Sequence, residues 1–129
     1  MNYKKKESKE TFTFNWVLVN KLAIGSAPKS EEHIKILQAQ NINSILSLCS
    51  EEEEPFINNL NSYFNHHKII LPDHKSEENI SQNQIKKTLE KLHFLYLEGN
   101  VFIHCYAGIE RSPLICIAWL IETRKLNFI

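Results

Sequence analysis

The chain has no net charge: fifteen Lys and Arg balance fifteen Asp and Glu over 129 residues. That balance removes the usual reason to expect a nucleic-acid or membrane-surface partner. No apolar run approaches membrane-spanning length, and the N-terminus lacks the apolar centre of a signal peptide. Cysteine is scarce and odd in number, with Cys49, Cys105 and Cys116 far apart. Such spacing suits a reducing compartment and a reactive thiol better than a disulfide framework, so a cytoplasmic protein is expected. No metal-ligand spacing is visible, and no cofactor or metal is expected. The acidic run Glu51 to Glu54 reads as solvated charge. His66 and His67 are adjacent, and neighbours on a strand point to opposite faces, which makes a poor chelating pair. There are no internal repeats and no interdomain linker.

What is present is ordinary globular material, 43% hydrophobic and 23% charged. Residues 1–11 form a polar, Lys/Glu-rich arm expected to be disordered, and 12–129 a single domain. Trp16–Val19 and Leu22–Ile24 are short β-runs joined by a turn at Asn20-Lys21, and Gly25-Ser26-Ala27-Pro28 breaks the pattern. Ser30 caps a helix over Glu31 to Gln40 that buries Ile34 and Leu37 and stops at Asn41. Ile45–Cys49 reads as a buried strand. Phe56, Ile57, Leu60 and Phe64 have the spacing of a short amphipathic helix. Ile69–Leu71 reads as the next strand and ends at Pro72-Asp73-His74. Ser81 and Gln84 form a capping box opening a helix to about Leu97, with Ile85, Leu89, Leu92 and Leu95 or Tyr96 inward and Gly99 at its end. Strands alternating with helices predict an α/β domain with a mainly parallel sheet.

The chain is organised around Val101-Phe102-Ile103-His104-Cys105-Tyr106-Ala107-Gly108-Ile109-Glu110-Arg111-Ser112-Pro113. A β-rich apolar run ends at a Cys, a short loop with one Gly follows, and Leu114 to Ile121 reads as a helix. A strand, tight loop and helix N-terminus aim several backbone N–H groups into one concavity, to which the helix end adds partial positive charge. A Cys at its base is stabilised as thiolate, and an Arg beyond the loop can fork onto two phosphate oxygens.

This stretch resembles the His-Cys-x5-Arg-Ser/Thr signature of the cysteine-dependent protein phosphatases, and most closely their small dual-specificity branch. The Leu22-Ala-Ile-Gly-Ser26 passage resembles the opening of the same family's domain. The resemblance spans roughly Trp16 to Arg124. It implies a five-stranded, partly mixed sheet flanked by helices, with the Cys loop between the last strand and a helix. Family members usually carry further helix beyond the stretch that ends here, so the final fold is expected to be trimmed or the chain a shortened form.

Transferred onto this chain, the resemblance makes Cys105 the nucleophile and Arg111 the clamp on two equatorial oxygens. The loop Tyr106, Ala107, Gly108, Ile109 and Glu110 then cradles the phosphate. Ser112 donates to the leaving thiolate or merely caps the helix. His104, whose side chain points away from that of Cys105, supports the loop or is a satisfied core histidine. The leaving group needs a proton from another loop at the same sheet edge. Asp73 lies 32 residues before Cys105, close to the family's acid-to-nucleophile separation; its other reading is turn capping, with Glu77 and Glu78 as alternative acids. Cys49 is a redox partner of Cys105 if their strands are parallel neighbours, or else a buried small hydrophobe. Cys116 reads as core. The implied activity is removal of phosphate from phosphotyrosine, phosphoserine and phosphothreonine in proteins, by a monomer with a shallow cleft. Glu110 places negative charge near the mouth and disfavours polyanionic substrates such as phosphoinositides. Non-protein phosphate esters and a non-catalytic phosphopeptide-binding module are the alternatives.

Overall fold

The computed structural model describes residues 11–50, 57, 59–72, 80–105 and 111–124. The arm 1–10, the acidic run, the segment with Asp73, Glu77 and Glu78, the loop 106–110 and residues 125–129 lie outside them.

Five strands form one sheet in the order β1-β2-β5-β3-β4. β1 (Phe14–Leu18) and β2 (Leu22–Gly25) are the antiparallel hairpin expected from the sequence. Asn20 makes its turn with φ 59°, a left-handed conformation that Asn tolerates. All other pairings are parallel: β2 with β5 (Asn100–His104), β5 with β3 (Ile42–Ser47), and β3 with β4 (Asn65–Lys68). The mainly parallel, partly mixed five-stranded sheet is therefore as anticipated. β5 lies at its centre, and its residues from Val101 to His104 are fully buried, as a strand covered on both faces requires.

Alternation along the strands divides the core in two. Leu22, Leu46, Val101 and Ile103 face α2 (Gln82–Glu98) and α3 (Arg111–Arg124), meeting Leu92, Leu95, Ile115 and Trp119. Ala23, Ile45 and Phe102 face the other way, against Ile34 and Leu37 of α1 (Glu31–Ala39). Caps fix the helix starts. The Ser30 hydroxyl accepts from the His33 N–H, and Ser81 and Gln84 make both halves of the capping box at 3.0 and 2.8 Å, a motif whose loss costs about 1 kcal/mol. Gly25 is required by close approach: a Cβ there would lie 2.0 Å from the Thr13 carbonyl oxygen and 2.9 Å from the Phe102 ring. At Gly99 a Cβ would lie 2.8 Å from that of Asn43.

Three expected elements are corrected. β3 begins at Ile42 and ends at Ser47, so Leu48 and Cys49 lie beyond it. The Leu48 N–H still reaches the His104 carbonyl at 2.9 Å, but its own carbonyl turns toward Leu71 and Arg111. The strand placed at Ile69–Leu71 is displaced to the polar Asn65–Lys68. An edge strand is buried on fewer sides and needs no apolar run. Ile69 and Leu71 still donate to the Ser47 and Leu48 carbonyls, at 2.9 and 3.0 Å, without forming a regular ladder. In place of an amphipathic helix around Leu60, the described residues hold one 3-10 turn, Leu60–Ser62, with Leu60 and Phe64 buried. α3 also begins earlier than its apolar segment, at Arg111. Pro113 fits there because N–H groups of a first turn have no helical partner to lose.

Candidate active site

β5 delivers Cys105 to the C-terminal edge of the sheet, and α3 starts six residues later. Ser112, in the first turn of α3, donates its backbone N–H to Cys105 Sγ at 3.4 Å. Cys105 is fully buried. The sulfur therefore sits at the positive end of a 14-residue helix. The Ser112 hydroxyl is buried and has no hydrogen-bond partner among the described residues. Leaving a hydroxyl unsatisfied costs about 1–3 kcal/mol, a cost relieved when an acceptor forms beside it.

Arg111 is 2% exposed. Its Nη1 donates to the Leu48 carbonyl at 3.3 Å and to the Leu71 carbonyl at 3.0 Å. One guanidinium nitrogen thus ties the start of α3 to the exit of β3 and to the segment after β4. Carbonyls orient a guanidinium through its N–H groups, so these two bonds fix the plane of the Arg111 side chain. Leu71 stands two residues before Asp73 in the sequence. The two carbonyl acceptors escaped sequence reasoning because backbone groups leave no residue-type signal.

His104, the residue before Cys105, has its side chain on the α1 face of the sheet, with its ring beside Phe102. Its Nε2 lies 2.5 Å from Ser47 Oγ, which is also 2.8 Å from His66 Nε2. Burial lowers the His104 pKa from 6.5 to about 3, with smaller contributions from the charges of His66 and Arg111. The imidazole is neutral at physiological pH. Its folded value lies below its unfolded one, so the unfolded chain binds more protons between the two. Stability from this group is full above pH 6.5 and is lost as pH falls toward 3, on the order of 3 kcal/mol by pH 4. Urea unfolding from pH 7 to pH 4 should show that slope, and His104→Asn should flatten it. Parallel slopes for the two proteins would move the acid sensitivity to another group.

The structure brings Cys105, Arg111 and Ser112 to the junction of β5 and α3 and places the His104 side chain on the other face of the sheet. Asp73 and the loop residues Tyr106 to Glu110 lie outside the described residues. β3 and β5 are parallel neighbours, the condition set for pairing Cys49 with Cys105; Cys49 belongs to the buried cluster of Ala27, Ile34 and Leu60, and Cys105 to that of Leu71, Ile115 and Cys116. Neither thiol is in a disulfide. Cys116 is buried in the core as anticipated, and burial, reinforced by Cys105, pushes its thiol up to about 12. Among the described residues no group of three His, Cys, Asp or Glu side chains gathers to hold a metal ion, and no helix is long and apolar enough to cross a membrane.

The family model for the dual specificity phosphatase catalytic domain matches residues 22–128. The chain belongs to the dual specificity phosphatase family. Within it, dual specificity protein phosphatase 1-B of Xenopus laevis is 27% identical over 107 residues, covering 82% of this chain and 27% of that protein. Human dual specificity protein phosphatase 5 is 52% identical over 29 residues, 22% of this chain and 8% of that protein. The chain thus spans only a small part of these relatives' length. Among solved structures, human tyrosine phosphatase-like serine/threonine/tyrosine-interacting protein superposes with a TM-score of 0.72 at 26% identity, over 88% of this chain and 76% of that one. A mutant form of Tk-PTP gives 0.73 at 22% identity, over 88% and 74%, a likeness of fold. Together these place the chain among the small atypical dual specificity phosphatases of the cysteine-based superfamily.

Proposed function

We propose that this dual specificity phosphatase domain hydrolyses phosphate monoesters of proteins, on phosphotyrosine and on phosphoserine or phosphothreonine, through a cysteinyl-phosphate intermediate. The observation that carries the reading is the buried Cys105 Sγ on the Ser112 N–H at the start of α3, beside a buried Arg111. In the first step the Cys105 thiolate attacks phosphorus, the S–P bond forms, and the P–O bond to the substrate breaks. Asp73 gives its proton to the departing oxygen. In the second step water attacks phosphorus and gives its proton to the Asp73 carboxylate. The S–P bond breaks, phosphate leaves, and the Ser112 hydroxyl donates to the returning thiolate. Arg111 and the amides of 106–110 hold the equatorial oxygens and bind the trigonal-bipyramidal transition state more strongly than the substrate. The protein needs no metal for this, acts as a cytoplasmic monomer, and takes phosphorylated proteins or peptides as partners.

A substrate panel tests the class. Phosphopeptides should exceed phosphoinositides and sugar phosphates in kcat/KM; the reverse order would make the enzyme one for non-protein esters, and binding without turnover would make it a phosphopeptide-binding module. Asp73→Asn tests the acid. It should lower kcat about a hundredfold on alkyl phosphates and much less on aryl phosphates with acidic leaving groups. Equal losses across a leaving-group series would take Asp73 out of that role and bring Glu77 or Glu78 forward.

A further inference from the structure

The three side chains His66, Ser47 and His104 form a hydrogen-bonded row along the α1 face of the sheet, across β4, β3 and β5. Ser47 and His104 are fully buried, and His66 is half-buried on the edge strand, where solvent protons reach it. A serine hydroxyl has one proton and two lone pairs. It can donate to one of the two Nε2 atoms, and it accepts from the other. The row therefore has two directions. With His66 neutral and accepting, Ser47 gives its proton to His66, and His104 gives Nε2–H to Ser47, leaving His104 Nδ1 without a proton. With His66 protonated, His66 gives Nε2–H to Ser47, Ser47 gives its proton to His104 Nε2, and the His104 proton resides on Nδ1. His104 itself stays neutral because of its burial, so the only change open to it near neutral pH is where its single proton sits. Nδ1 is buried and is the ring nitrogen nearer the main chain that continues into Cys105.

We propose that His66 sets the tautomer of His104 through Ser47, making a histidine at the sheet edge a positioning residue for the segment that carries Cys105. Its bearing on catalysis rests on Cys105 being the nucleophile; the relay itself does not. His104 on β5 is the far end of the row, and Arg111 on α3 acts on it. The elements on this face also carry Lys68 on β4, Tyr63 in the turn before it, and His33 on α1, whose ring stacks on Phe12 with Glu32 and Lys29 as charged neighbours. On the other face of β4, His67 answers to Lys91 and Glu98 of α2. Histidine is the side chain whose charge changes in this pH range.

The test is NMR of protein labelled with nitrogen-15 at histidine, titrated over the neutral range. In the parent, His104 should move its proton from Nε2 to Nδ1 as pH falls, with the same midpoint as the titration of His66. His66→Gln keeps a donor and an acceptor for Ser47 but cannot titrate, and should hold His104 in one tautomer throughout. Ser47→Ala should let His66 titrate while His104 stays constant. A parent in which His104 keeps one tautomer while His66 titrates overturns the relay, as does an exchange that persists in His66→Gln. In turnover, the ratio of kcat/KM at the acid end to that at the alkaline end should change by about threefold between parent and His66→Gln. An unchanged ratio would sever the relay from catalysis. If the chain turned over no phosphate ester at all, the proposed activity would fail while the tautomer measurement still decided the relay.

Discussion

Cys105→Ser should leave no measurable turnover and yet still bind phosphate esters. A serine hydroxyl at this position is neither ionised nor a comparable nucleophile, and losing a covalent nucleophile costs at least about four orders of magnitude in kcat. The binding elements do not depend on sulfur. The Ser112 N–H stays at the helix start, and Arg111 stays tied to the Leu48 and Leu71 carbonyls. The other two thiols cannot substitute. Cys116 is held protonated far above neutral pH by its burial, and Cys49 belongs to the buried cluster of Ala27, Ile34 and Leu60. Hydrolysis of p-nitrophenyl phosphate and calorimetric binding of a phosphotyrosine peptide measure the two halves of this expectation. Appreciable activity in the variant would falsify the nucleophile assignment. Loss of binding with activity would mean that the thiolate, not the cradle, holds the anion.

The sequence was most legible where one residue type has one structural use. Ser30, Asn41, and Ser81 with Gln84 marked helix ends because a short polar side chain there satisfies an orphan N–H, or a left-handed φ needs Asn, at 61° for Asn41. The Cys and Arg flanking the loop marked the candidate site because the proposed chemistry requires those types at the end of a strand and the start of a helix. It was least legible where the partner is a backbone carbonyl or the environment is two-sided. β4 was missed because Asn65-His66-His67-Lys68 has no apolar signal, and the neighbouring Ile69-Ile70-Leu71 has one without being a strand. Ile70 is in fact 56% exposed. The His66–Ser47–His104 row was missed with it. The available clue was Ser47, a polar residue inside the apolar run Ile45 to Leu48, since a buried hydroxyl implies a partner.

Arg111→Lys should lower kcat/KM about a thousandfold, most of it in kcat, although the charge is kept. The reason lies in how the guanidinium is shared. Nη1 serves the Leu48 and Leu71 carbonyls, and in the proposed reaction a bidentate grip on phosphate would use Nε and Nη2, the other edge of the same plane. A lysine ammonium has three donors on a single nitrogen and no second edge. If it follows the two carbonyls it withdraws from the substrate, and if it follows the substrate it leaves two buried carbonyls with poorer partners, each costing about 1–3 kcal/mol. The carbonyl bonds exist before substrate arrives, so the fork is oriented in advance, and its gain appears where charge spreads over the equatorial oxygens in the transition state. Steady-state kinetics on an aryl phosphate, with unfolding of the same protein as control, separates the two losses. A lysine variant within tenfold of the parent in kcat would show that charge alone suffices, and that the two carbonyl bonds serve only the fold.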